Sequence, residues 1–264
     1  MTQQTQISYG ERHRSFEHWF QTPLGRALLA DQRQCIDQVV QPLTGARQLQ
    51  VGLSHRLPLA GASDFAQKIL TTPEFCRHLP EGVAVCDSDE LPFPGDSMDL
   101  VVLHHTQDFS PHPHQVLREA ARVLRGGGNL VLMGFNPLSL WGIRRLVSRS
   151  RSGPWGGRFL LPGRMEDWLT LLDFEVEDRH CRFYRPPLRR FAGHSANSGK
   201  GPGKAVRLLP LGAYYCILAS KRVGAPIRKR PVWRQQAIRL PGAVGASRGA
   251  VNHTSNRYSE DGDH

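Results

Sequence analysis

The chain predicts a doubly wound α/β domain, a three-layer sandwich with a mostly parallel sheet between helices and an antiparallel strand pair at its C-terminal end. Residues 83–86, 98–104 and 129–135 are short, nearly continuous apolar runs, the pattern of strands buried on both faces of a parallel sheet. The helical stripe Val116, Leu117, Ala120, Ala121, Val123 and Leu124 lies between the last two and makes a strand–helix–strand crossover. Two further strand-like segments, 174–183 and 212–221, follow late in the chain, where an antiparallel pair can finish the sheet edge.

The elements follow in order. Residues 1–22 form a polar extension whose Phe16, Trp19 and Phe20 are placed to pack onto the body. Leu24, Leu28, Ile36, Val39, Val40 and Leu43 approximate a helical stripe, with Pro42 near its stop. Residues 48–53 fit a first strand. Residues 54–82 carry no clear period, and one or two helices are expected there, one of them over 64–70. Asp87-Ser88-Asp89 ends the strand at 83–86, and Leu91-Pro-Phe-Pro-Gly turns the chain into the next one. Pro113 suits the first turn of the following helix, and Gly126-Gly127-Gly128 stops it. After Asn136-Pro137 comes an arginine-rich, aromatic segment, then a helix over 164–172 with Met165, Trp168, Leu169 and Leu172 on one face. The expected organisation is one α/β domain over 1–222, containing the 1–22 extension and a Gly/Lys-rich loop at 185–207, followed by a basic tail at 223–264 whose aperiodic, polar composition reads as disordered.

Composition narrows the class. The chain has 264 residues, enough for one sizeable core, and 34 Lys+Arg against 23 Asp+Glu give a formal charge of +11. A basic tail explains that surplus, and so does a polyanionic partner such as nucleic acid or a membrane surface. Five scattered cysteines (Cys35, Cys76, Cys86, Cys181, Cys216) form no CxxC pair, which points away from a disulfide framework or zinc site and toward a reducing compartment. The N-terminus lacks the apolar core of a signal peptide, and the longest apolar stretch, 208–219, is too short to span a bilayer, so a cytoplasmic location without membrane insertion is expected. His104, His105, His112 and His114 crowd together, but Pro111 and Pro113 intervene and no cysteine or glutamate completes a ligand set, so no metal is expected.

Two segments carry a resemblance. LPFPGDSMDLVV (91–102) and VLREAARVLRGGGNLVL (116–132) are similar, in order and spacing, to the paired signatures of the class I S-adenosylmethionine-dependent methyltransferases, in their type 11 methyltransferase domain family. With the order of elements, the resemblance covers residues 24 to 222. It implies a Rossmann-like methyltransferase fold, S-adenosylmethionine as cofactor, and transfer of the sulfonium methyl to an oxygen, nitrogen or carbon nucleophile. It also implies site residues. Asp87 would accept the adenine amine, with Ser88 and Leu91 beside it, and Gly52 and His104 would complete the cofactor site. His104 or His105 would act as general base, and His105, Asn136 and Trp141 would line the substrate pocket.

One family feature is degenerate. Where three glycines normally follow the first strand, this chain has Leu49-Gln-Val-Gly-Leu-Ser-His, and Gly52 stands alone. Asp64 is the only acid near the distance expected for a ribose-binding carboxylate. Three readings follow: a methyltransferase acting on a small molecule through an altered loop, a scaffold that keeps the fold without the cofactor, or an RNA methyltransferase using the basic surface or tail.

Overall fold

The computed structural model describes residues 9–148, 152–187 and 211–223, all within a unit spanning Met1–Ala225. The tail from 224 and most of the 185–207 loop lie outside the described residues. Two helices come first, α1 (Tyr9–Phe20) and α2 (Pro23–Val40). Strands β1 (Arg47–Val51), β2 (Gln67–Thr72), β3 (Val83–Val85) and β4 (Met98–His104) follow with no helix between them. The second half runs α3 (Thr106–Phe109), α4 (Pro113–Val123), β5 (Leu124–Phe135), α5 (Leu140–Val147), a 3-10 turn at Gly153–Gly156, α6 (Pro162–Leu171), β6 (Phe174–Arg182) and β7 (Tyr214–Lys221).

The seven strands form one sheet in the order β3-β2-β1-β4-β5-β7-β6. The first five are parallel, and β7 inserts antiparallel between β5 and β6. Strand β4 is buried along its whole length, as its unbroken apolar run requires. The two faces of the sheet build two cores. Leu100, Val102, Val131 and Met133 meet α1 and α2 on one side, while Val101, Leu103, Leu130 and Leu132 meet α4 and α6 on the other. The alternation follows from the two-residue period of a strand. The chain changes direction of winding between β1 and β4, where a parallel sheet opens a crevice at its carboxyl edge.

The expected helix over 64–70 is a strand instead. Gln67–Thr72 pairs with β1 on one side and β3 on the other, so two ladders of hydrogen bonds outweigh a local sequence with little pattern. The connection from 52 to 66 holds no helix either. Two glutamines, one residue apart in β1 and so on one face, fasten it to the sheet. Gln50 Nε2 donates to Leu57 O at 2.8 Å while its Oε1 accepts from Leu59 N at 2.9 Å, and Gln48 Oε1 accepts from Ser63 Oγ at 2.5 Å. The glycine triplet also differs from expectation: α4 ends at Val123, and the glycines lie within β5, where the register against β4 shifts between Met98 and Leu100.

At the amino end of β4, Asp99 is structural. Its Oδ2 accepts from the N–H groups of Ala46 and Arg47 at 2.8 and 2.7 Å, and its Oδ1 meets Arg125 at 2.7 Å. Gly45 is needed for that approach, because a Cβ there would come within 2.6 Å of Asp99 Cβ.

At the carboxyl end, α2 is joined to β4 by one side chain. Gln32 Oε1 accepts from His104 Nε2 at 3.1 Å, and Gln32 Nε2 donates to His105 Nε2 at 2.7 Å. The proton of His105 is thereby on Nδ1, 2.8 Å from Asp108 Oδ2, which also accepts from Phe135 N at 2.9 Å. The whole relay is buried, and α1 closes over it with Phe16 and Phe20. Burial holds the His104 imidazole well below its ordinary range, reinforced by His105 and Arg33, and brings His105 down to about 3. Burial pushes the Asp108 carboxyl well above its usual range, against the Phe135 N–H and Arg145. His13, buried in α1 beside Arg12, is lowered to about 4.

Two outcomes are expected. Gln32→Ala leaves two buried imidazoles without their partner and lowers unfolding stability by about 2–4 kcal/mol, read by urea titration. Acid should weaken the fold early. The three imidazoles have folded-state pKa values depressed below an unfolded value of about 6.5, so their contribution is present above it and lost as pH falls, by about 1.4 kcal/mol per pH unit for each. Asp108, raised in the fold, offsets one of them, and the urea midpoint should fall steadily from pH 6.5 toward 4.5.

Candidate functional site

The carboxyl ends of β1, β2, β3 and β4 meet on one side of the sheet, and most of the residues singled out from the sequence fall there. Gly52 directly follows β1 and is buried. A Cβ on it would meet nothing in the chain nearer than Gln50 Nε2 at 3.7 Å. Unlike Gly45, it is therefore not required by the protein's own packing, since a Cβ would make only ordinary van der Waals contact there. Asp87 lies two residues beyond β3 and is exposed, while Ser88 and Leu91 are buried beside it. Leu91 N is held by Glu119 Oε2 of α4 at 3.0 Å, and Glu119 in turn pairs with Arg122, which donates to Leu91 O and Phe93 O. The loop that carries Asp87 is thus anchored to α4 through a charge-assisted pair that draws the Glu119 carboxyl down.

Glu74 and Phe75 were not singled out from the sequence, and the fold brings them to this edge. Strand β2 ends at Thr72, opposite Val85 of β3, and Cys86 N donates to Thr72 O at 3.1 Å. Glu74 is consequently the first acid beyond β2, as Asp87 is beyond β3. It meets Arg14 of α1 at 3.0 Å. Phe75 follows with 77% of its surface exposed, an unusual position for a phenylalanine. The signal that could have found them is Ile69-Leu70-Thr71-Thr72 before Pro73, a short β-favouring run ended by a strand breaker. Asp64, in contrast, precedes β2 and lies at the opposite end of the sheet.

The remaining candidates sit deeper than expected. His104 and His105 are 1% and 0% exposed; both ring nitrogens of His105 are engaged, by Gln32 and Asp108, and His104 is held through Nε2 by Gln32, so burial keeps both imidazoles from the open part of the edge. His105 further adopts a left-handed conformation, φ 56°, which turns the chain from β4 into α3. Asn136 is wholly buried, with Nδ2 donating to Gly212 O and Oδ1 accepting from Leu138 N, and it shapes the turn after β5. Trp141 packs on Phe135, Trp19 and Trp155 and donates to Arg185 O at 2.9 Å. These four side chains build the floor under the strand ends. Among the described residues no group of three or more His, Cys, Asp or Glu is placed to hold a metal ion.

Known proteins resemble this chain in sequence and in fold. Residues 59–132 match the family model of a methyltransferase domain. An uncharacterized Escherichia coli protein, YafS, is 37% identical over 164 residues, 61% of this chain and 64% of the relative, so the chain spans about two thirds of that protein's length. A solved S-adenosylmethionine-dependent methyltransferase of Thermotoga maritima, described as a possible histamine N-methyltransferase, aligns with a TM-score of 0.60 at 20% identity, over 81% of this chain and 98% of its own. The [4+2]-cyclase SpnF aligns with a TM-score of 0.52 at 22% identity, over 73% of this chain and 81% of its own. Residues 59–132 thus resemble a methyltransferase domain, and the sheet that contains them has the fold of the solved S-adenosylmethionine-dependent methyltransferase.

Proposed function

We propose that the protein is an S-adenosylmethionine-dependent methyltransferase acting on a small molecule. The observation that carries the reading is the pair of acids, Glu74 and Asp87, that follow adjacent strands β2 and β3, at the same edge as the lone Gly52 after β1. A nucleoside held at the switch point needs carboxylates for its hydroxyls and its exocyclic amine, and a strand end without side chains for close approach. Glu74 is assigned to the ribose hydroxyls, Asp87 with Ser88 to the adenine edge, and Phe75 and Leu91 to the ring faces. Gly52 and the neighbouring Ser54 are assigned to the methionine end, where one glycine replaces the usual three.

The cofactor, when bound, supplies an activated methyl group that leaves a neutral thioether behind. The chain's own residues then hold two reactants in line and keep water out, which accounts for large accelerations without a specialised base. His104 and His105 are positioning residues in this reading: neutral and locked by Gln32, they fix the end of β4 rather than move a proton. The acceptor's proton is left to solvent or to a group outside the relay.

A second reading is favoured by the absence of any helix from 52 to 66 and by the closure of α1 over the relay: a scaffold that keeps the fold and has lost the cofactor. The cyclase with the same fold shows that this architecture also serves other chemistry.

Calorimetric titration with S-adenosylmethionine and S-adenosylhomocysteine separates the two. Binding is expected, weakened about ten-fold or more by Asp87→Ala and by Glu74→Ala, since each removes a charged hydrogen-bond acceptor. Gly52→Ala should change unfolding stability by no more than about 1 kcal/mol, because its Cβ meets only ordinary van der Waals contact, yet weaken binding by about ten-fold or more where the cofactor must approach the backbone. Folded protein that binds neither ligand establishes the scaffold reading.

A further inference from the structure

A run of the chain at the site's end of the sheet has both an uncovered apolar face and a single sign of charge. Helix α5 begins five residues after β5 ends and is capped by Ser139, whose Oγ accepts from Gly142 N. One side of it is anchored: Trp141 is 1% exposed, and a Cβ on Gly142 would collide with the Pro137 backbone. The other side is bare. Leu140, Ile143 and Val147 are 52, 55 and 79% exposed and recur at helical spacing, and Leu146 (79%) and Leu138 (56%) extend the patch. Scattered exposed leucines are ordinary, but five large aliphatic side chains on one short helix and its lead-in are not.

Charge says what covers this face. From Asn129 to Arg164 the sequence contains no aspartate or glutamate and six arginines: Arg144, Arg145, Arg149, Arg151, Arg158 and Arg164. Arg144 adjoins the apolar face on α5 itself, resting over Trp155, and Arg149 and Arg151 follow the helix in sequence, whereas Arg145 lies on the anchored side over Phe159. A protein partner that buried such a face would have to bring its own acids. An anionic bilayer offers both halves at once, acyl chains for the aliphatic side chains and headgroup phosphates for the guanidiniums. Among the described residues no helix is long and apolar enough to cross a membrane, so contact is with the surface.

We infer that α5 is an interfacial element that seats the protein on an anionic phospholipid surface, with the carboxyl edge of the sheet toward the lipid. This inference does not depend on methyl transfer.

The experiment is flotation of the full chain with vesicles of phosphatidylcholine alone and of phosphatidylcholine containing a quarter phosphatidylglycerol. Three proteins are compared: the unaltered chain, Ile143→Glu/Leu146→Glu, and a charge control in the basic tail, Arg228→Gln/Lys229→Gln/Arg230→Gln. The expected result is binding to the anionic vesicles, at least about ten-fold weaker on neutral ones and weakened by about 0.5 M salt. The Ile143→Glu/Leu146→Glu protein should lose that binding by about ten-fold or more while unfolding at the unaltered temperature, because both side chains are already in water. The tail control should keep most of it. The inference is overturned if the unaltered chain ignores anionic vesicles, or if the Ile143→Glu/Leu146→Glu protein binds them equally well. It is equally overturned if light scattering shows a dimer that this double substitution converts to a monomer, which would assign the face to a second copy of the chain.

Discussion

A single amide organises the functional end of this molecule. Gln32 reaches from α2 to His104 and His105 at the end of β4, and through His105 the contact extends to Asp108 and the backbone of Phe135. Every member is buried, so each donor and acceptor left unmatched would cost a substantial part of a typical domain's stability. The relay joins the N-terminal helices, the central strand and the last residue of β5 into one rigid edge. The same burial depresses the imidazoles and raises the carboxyl, so each is biased toward its uncharged form.

That rigidity governs where chemistry is feasible. The end of β4 is sealed by Phe16 and Phe20, so the open part of the edge lies over β1, β2 and β3, where Gly52, Glu74, Phe75 and Asp87 gather. The connection after β1 is held by Gln48 and Gln50, which use side-chain bonds to do what a helix's apolar stripe does elsewhere. The first half of the domain is therefore built with strands and pinned loops, whereas the second half keeps regular crossovers through α4. The Glu119–Arg122 pair ties the halves together by holding the Leu91 loop.

How much of this was legible in the sequence differs between the halves. Met98–His104 could be read directly, because a seven-residue apolar run leaves no polar face and must be buried on both sides. Helix α4 was equally plain from its stripe, and Asp87 from its place after a strand. Strand β2 was not legible: QKILTT alternates weakly, is only half buried over most of its length, and owes its form to ladders on both sides. Missing β2 concealed Glu74 and Phe75, whose meaning comes from the strand end just before them.

By itself, then, the sequence determined the α/β class, the parallel centre, the antiparallel finish and the acid beyond β3, since each rests on local periodicity or on a residue's distance from a strand. Only the tertiary structure decided which polar side chains are open and which are locked. His104 and His105 read as site residues from their place in the chain, yet their partner, Gln32, lies 72 and 73 residues away. That packing does not demand Gly52, and that one face of α5 is uncovered, were likewise hidden, because whether a position is filled depends on what distant segments pack against it, and no local pattern records that.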